Sequence, residues 1–252
     1  MTNIDVDMKM RETWDFCLEV YGPRCVALCH HGSFNYLCNT PESDVDAKLI
    51  VVPTWNDIVN CAKPLSETIK GPYGDINVTD VRLFIGNNLR KQNFNFIECL
   101  FTPYKRVNTE YWDLWQLLIE HREDIAHYNP VEAVRTMMGQ MENQRKRWGK
   151  FDDKKTLYHM LRIKHAIVAY VAGKDFERTL IPSRRDRDLI QEVRSGKVAQ
   201  SDMEYFAQTA YEIVTNVAKC ADQIPSSEQA ADTIMEYVQE RIMARAMEDA
   251  LK

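Results

Sequence analysis

The sequence predicts a mixed α/β protein, of the α+β kind, with a small sheet-bearing unit over residues 1–108 and an all-helical region over 109–252. Three observations predict it. Two short apolar runs, "RCVALCHHG" and "DVDAKLIVVP", are closed by glycine and proline, as buried strands are. From about Tyr111 onward the apolar residues recur at helical spacing. No strand pattern stands out after about residue 105, and there is no internal repeat or low-complexity segment.

Taken in order, Asp7 to Val20 reads as a first helix and Arg24 to His30 as a buried strand ending in a glycine turn. Pro41 marks a turn, Asp44 to Val52 reads as a second strand closed by Pro53, and Trp55 to Ala62 as a helical turn or short helix. "KGPYGD" is a loop and Ile76 to Thr79 a short strand. Asp80 is a good N-cap for a helix over Val81 to Gln92. The stretch "FNFIECLFTP" closes the unit. Helices are then expected over Glu110–His127, Val131–Arg147, Lys154–Gly173, Arg187–Gly196, Ser201–Ile224 and Ser227–Leu251. The methionines and aromatics at 235–247 are spaced as one packing face of the last helix.

Composition narrows the classes. A chain of 252 residues that is 45% hydrophobic and 27% charged can build a sizeable core. Its net charge of -5 gives no overall attraction to nucleic acid, so any such contact must come from a local basic patch. The apolar stretches are too short to cross a bilayer, and the N-terminus is charged and lacks the apolar core of a signal peptide. Seven cysteines with no Cys-x-x-Cys suggest reduced, mostly buried thiols in a cytoplasmic protein with no membrane partner. Walker, dinucleotide-glycine and hydrolase-elbow patterns are absent.

The segment "HGSFNYLCNTPESDVDAKLIVV" carries the chemistry. Residues two apart on a strand share a face, so Asp44 and Asp46 project together while Val45, Ala47, Leu49 and Val51 fill the other face. Paired carboxylates repel unless a cation joins them, and hard oxygen donors suit Mg²⁺ or Mn²⁺. Gly32 and Ser33 lie after a strand and ahead of an expected helix start at Phe34, where free N–H groups and the Ser33 hydroxyl can bind phosphate oxygens. Taken alone, a Gly-Ser is a turn and an Asp-x-Asp a solvated cap in most proteins. The order is more specific: strand, Gly-Ser, about eleven residues, Asp-x-Asp, apolar strand.

That order resembles the nucleotidyltransferase fold of the DNA polymerase β superfamily. Downstream, "INVTDVRLFIGNNLRKQNFNFIECLFTP" and "KKTLYHMLRIKHAIVAYVAGKDF" look like the predicted bacterial and phage nucleotidyltransferases of the RNA-repair-pathway type. The matching residues are Asp80, Arg82, Asn93, Asn95, Glu98, Leu100 and Phe101, then a helix bearing Lys, His and Arg. The resemblance implies a nucleotidyltransferase core with a small mixed sheet flanked by helices. It also implies transfer of a nucleoside monophosphate from an NTP such as ATP to an acceptor hydroxyl, an RNA or tRNA end, with release of pyrophosphate. Asp44 and Asp46 are then the metal-binding and catalytic pair, with Gly32 and Ser33 on the β and γ phosphates. Asp80 is the preferred third carboxylate for metal and catalysis, and Asp75 the alternative. These two are five apart, so a regular strand points them to opposite faces. Asp80 also has a plain role as helix cap, and Glu98 as the partner of Arg82 or a lysine.

Lys155, His159 and Arg162 fall at i, i+4, i+7, one helix stripe that suits a triphosphate or a solvated face. "QRKRWGK" and "SRRDRD" could touch a polynucleotide or be solvated, with Arg184 and Arg185 free to pair with Asp186 and Asp188. Nucleotidylation of a protein or small molecule, and a lapsed member that only binds nucleotide or RNA, are the competing functions. The intact Asp44 and Asp46 argue against the last.

Overall fold

The computed structural model describes residues 3–151 and 153–250. It is mixed α/β, as expected, with a five-stranded mixed sheet and a helical C-terminal part. The first helix α1 (Asn3–Tyr21) leads through a short 3₁₀ turn to β1 (Cys25–His30). Then follow β2 (Ala47–Val51), α2 (Trp55–Val59), β3 (Ser66–Lys70) and β4 (Asp75–Asp80). A short helix α3 (Val81–Leu83) widens into a π-type turn over Phe84–Leu89, followed by α4 (Phe94–Phe101) and β5 (Lys105–Val107).

The strand order is β3-β4-β2-β1-β5, with β2 parallel to β4 and the other pairs antiparallel. Three strands differ from the sequence reading. β3 has no apolar alternation because it is an exposed edge strand, "SETIK", held by its ladder with β4. β5 is an edge strand of three residues, too short to show a period. β2 begins at Ala47 rather than Asp44, for a reason given below.

One face of the sheet is apolar. Val45, Ala47, Leu49 and Val51 pack with Leu28, Ile76 and Val78 against Val6, Met10 and Cys17 of α1. The reading of that face from alternation is therefore correct. α4 lies against the other face, where its Cys99 thiol meets that of Cys29 and its Phe96 ring meets Lys48.

The helices that follow are α5 (Trp112–Glu120), α6 (Arg122–Ala126), α7 (Pro130–Arg147), α8 (Asp153–Val171), α9 (Phe176–Leu180), α10 (Arg184–Arg194), α11 (Gln200–Val217) and α12 (Glu228–Ala250). The expected end of the last helix, Leu251, lies outside the described residues. Packing divides the chain into two compact units. Among the described residues the sheet-bearing unit comprises 3–35, 39–128 and 227–250, and the helical unit 36–38, 129–151 and 153–226. The 108/109 boundary follows the change of texture along the chain, whereas packing also groups α5, α6 and α12 with the sheet. Ala231, Met235, Val238 and Ile242 make a buried stripe on α12 that packs on α5 and α6. Arg245 pairs with Asp113 at 2.6 Å and Arg90 with Asp232 at 2.9 Å. In the helical unit α8 is the central helix, with Leu157, Leu161, Ile167 and Tyr170 buried among α7, α10 and α11.

Candidate active site

The site is built where β1 ends and β2 begins. The β1–β2 ladder pairs His30 with Ala47, and the next rung is a bond from the His31 N–H to the Asp46 carbonyl at 2.9 Å. The Gly32–Ser33 bend therefore starts beside Asp46. Asp46 also reaches β4, where its Oδ1 accepts the Asp75 N–H at 2.9 Å. The Val45 N–H donates to the Tyr73 carbonyl at 3.0 Å. The side chain of Asp46 and the β3–β4 turn thus replace regular ladder bonds, which is why β2 starts at Ala47. Gly74 makes this approach possible, because a Cβ there would lie 2.7 Å from Asp46 Oδ1 and 2.8 Å from the Val45 carbonyl oxygen. Asp46 is half-buried and Asp44 exposed.

Register separates the two candidates for a third carboxylate. In the β2–β4 ladder Ala47 is level with Ile76 and Val51 with Asp80, so Asp80 lies about 16 Å further along the strand pair than Asp46. It also shares strand parity with Ile76 and Val78, on the apolar face. Both its oxygens are taken by Arg82, at 3.0 Å from Nε and 2.7 Å from Nη2, and Oδ1 also caps the Arg82 N–H at 2.8 Å. Asp80 is thus a buried helix cap, not a neighbour of Asp44 and Asp46. Asp75, the alternative, stands at the Asp46 end and on the other face. Its Oδ1 pairs with Lys70 Nζ at 2.6 Å. The Lys70 ammonium has its pKa raised by Asp75 first, and also by Asp46 and Asp44, so all three carboxylates lie within electrostatic reach of one cation.

That donor set of hard carboxylate oxygens fits Mg²⁺ or Mn²⁺ by its chemistry. Among the described residues no group of three or more His, Cys, Asp or Glu side chains is placed to hold a metal ion. Mg²⁺ commonly takes one or two protein carboxylates and completes its shell with water and substrate phosphate.

The bend itself differs from expectation. No helix starts at Phe34, since residues 33–37 form turns, with the Asn35 N–H donating to the Gly32 carbonyl at 3.0 Å. Gly32 has φ of 119°, a conformation that side chains resist. Its N–H is not open to a phosphate, because it donates to Glu98 Oε1 at 2.9 Å. The same oxygen accepts Asn35 Nδ2 at 2.5 Å, and Oε2 lies 3.1 Å from His31 Nδ1. Glu98 is fully buried. It partners the bend rather than Arg82 or a lysine, because Arg82 is spent on Asp80. Asn35 in turn donates to the His30 carbonyl at 3.0 Å and accepts from Thr102 Oγ1 at 2.8 Å. Ser33 is half-buried, and its hydroxyl makes no hydrogen bond with any described residue. Spacing marks Glu98 only as a carboxylate between apolar residues. Its partners lie more than sixty residues away.

In the helical unit the expected stripe of α8 is graded in exposure: Lys155 exposed, His159 half-buried and Arg162 buried. Arg162 lies over the Tyr36 ring at 4.4 Å, and Arg194 over the Tyr158 ring at 4.8 Å. The Tyr158 and His159 rings are 4.6 Å apart. Burial holds the His159 imidazole near a pKa of about 3, and Arg162, Lys155, Arg147 and Arg194 push it the same way. The stripe thus gathers two further arginines from α7 and α10 that periodicity could not assign to it. Arg184 and Arg185 are exposed, and Asp186 pairs instead with Lys164 at 2.7 Å and Ser183 at 2.7 Å.

All seven cysteines are free thiols, five of them buried. Among the described residues no helix is long and apolar enough to cross a membrane. No protein-family model matches the chain, and no curated protein matches it.

Proposed function

We propose that this protein is a metal-dependent nucleotidyltransferase of the DNA polymerase β-like type, moving a nucleoside monophosphate from an NTP to an acceptor hydroxyl. The observation that carries this reading is the rung from His31 to Asp46, which sets the Gly-Ser bend beside the acid pair.

In this reading Asp44 and Asp46 would hold Mg²⁺ or Mn²⁺, which would offset the charge of the triphosphate and acidify the acceptor hydroxyl. The half-buried Ser33 hydroxyl donates to a phosphate oxygen. Gly32 shapes the bend, and Glu98 locks it through the Gly32 N–H and Asn35. The acceptor oxygen bonds to the α-phosphorus as the bond to the bridging β-phosphate oxygen breaks, and pyrophosphate departs with that electron pair. The hydroxyl proton passes to Asp75, which takes the role first expected of Asp80. An RNA end is the acceptor in this reading.

The test is incubation with each α-labelled NTP, Mg²⁺ or Mn²⁺, and either total RNA or protein extract. Label is expected in the RNA fraction with the unaltered protein, reduced at least 100-fold by Asp46→Asn. Equal labelling by the variant removes the metal-binding role, and label in protein alone reassigns the acceptor.

A further inference from the structure

Lys48 is 6% exposed and is the second residue of β2, the central strand of the sheet. Lysine is rarely this buried unless paired, because desolvating an ammonium without a counter-charge is costly. Its neighbours on β2, Ala47 and Leu49, point into the α1 side of the core. Lys48 therefore points to the opposite face, the one it shares with Asp46. Across the ladders it is level with Cys29 of β1 and Asn77 of β4. Above it is α4, with the Lys48 Nζ 4.3 Å from the centroid of the Phe96 ring. Glu98, two residues on in the same helix, spends its carboxylate on Gly32, Asn35 and His31. Among the described residues Lys48 has the aromatic ring as its neighbour, but no ion pair and no hydrogen bond. A cation–π contact offsets part of the desolvation, but it leaves the three N–H donors unused.

We infer that Lys48 is an anion-binding residue of this site, its ammonium donating to a phosphoryl oxygen of the bound substrate. The inference rests on the nucleotidyltransferase reading for the identity of that substrate, but the need for an anion stands on Lys48 itself. A segment that offers carboxylates just before β2 and a lysine with unused donors two residues later can hold a divalent cation and a phosphoryl oxygen side by side. The phosphoryl group has two sources, the triphosphate of an NTP or a terminal phosphate on an RNA.

The full chain and its Lys48→Met and Lys48→Arg variants test this by calorimetric titration with Mn²⁺ and three probes: ATP, pyrophosphate, and a 5′-phosphorylated oligonucleotide. Methionine keeps the length and apolar stem, so Lys48→Met should melt no lower than the unaltered chain. ATP and pyrophosphate are expected to bind at least tenfold more weakly to Lys48→Met, with Lys48→Arg recovering part of the loss. Loss confined to the oligonucleotide places the acceptor's phosphate on Lys48 instead of the nucleotide's. Failure of the unaltered chain to bind any probe, changes below twofold for all three, or a lowered melting temperature with unchanged binding would each overturn the assignment. If label transfer is absent but Lys48→Met still loses pyrophosphate, the phosphoryl site stands and the transferase reading falls. Transfer with an unchanged KM in Lys48→Met has the reverse meaning.

Discussion

Glu98 lies between Ile97 and Cys99 on the apolar helix α4, yet it is fully buried and meets three donors of one bend. A buried carboxylate is tolerable when hydrogen bonds replace its water, and here the bend supplies them. The charge matters as much as the shape. Glu98→Gln presents an amide group to donors on at least one side and leaves a donor facing a donor. The variant is expected to lose about 2–3 kcal/mol of stability in denaturant titration, and nucleotide transfer with it. Retention of both would reduce Glu98 to a space-filling role. His30 is the second buried polar residue here. Its Nδ1 lies 2.9 Å from the Asp46 carbonyl and donates to it, while Nε2 has no described partner, packed by Phe34 and Tyr104. Burial lowers its pKa to about 4, outweighing Glu98 and the Asp46 carbonyl, which favour the charged ring.

At the scale of elements, the β3–β4 hairpin positions Asp46. The turn over Gly71–Gly74 closes with the Gly71 N–H on the Gly74 carbonyl at 2.9 Å, and Asp75 follows with its N–H on Asp46. A Cβ at position 74 meets the Asp46 carboxylate and the Val45 backbone, and backbone does not yield cheaply. Gly74→Ala is therefore expected to destabilise the protein by about 1–3 kcal/mol in thermal melts and to impair transfer further than that loss explains. A fully active, unshifted variant would mean that the hairpin does not set the carboxylate. α12 illustrates the complementary point. Its apolar stripe is plain in the sequence, but periodicity cannot say what it covers.

For the molecule as a whole, buried neutral histidines make stability depend on pH. Both His30 and His159 have folded pKa values depressed below the unfolded value near 6.5, to about 4 and about 3. Full stability is present above pH 6.5 and falls as the pH drops toward 4, because the unfolded chain takes up protons that the folded chain refuses. Each imidazole contributes at most about 1.4 kcal/mol per pH unit in that window. Melting temperature should therefore decline between pH 7 and pH 4.5, less steeply in His30→Asn, which keeps a donor toward Asp46. A pH-independent melt in the unaltered chain would contradict the neutral burial of these rings. His30 lies in the sheet-bearing unit and His159 in the helical unit, so the variant isolates the first.

The sequence by itself determined the mixed α/β class, β1, the apolar side of β2, most of the helices, and the order of bend and acid pair. Those features rest on local rules: period two in strands, period 3.6 in helices, and the turn chemistry of glycine and proline. Asp80 was legible as a cap by the same kind of rule. What only the tertiary structure decided is which distant groups meet. The β2–β4 register carries Asp80 away from Asp46 and brings Asp75 to it. Glu98 goes to Gly32, Lys48 goes under Phe96, and α12 returns to α5 and α6. Each is a pairing across dozens of residues, where every candidate partner has the right chemistry and only strand register and packing select among them.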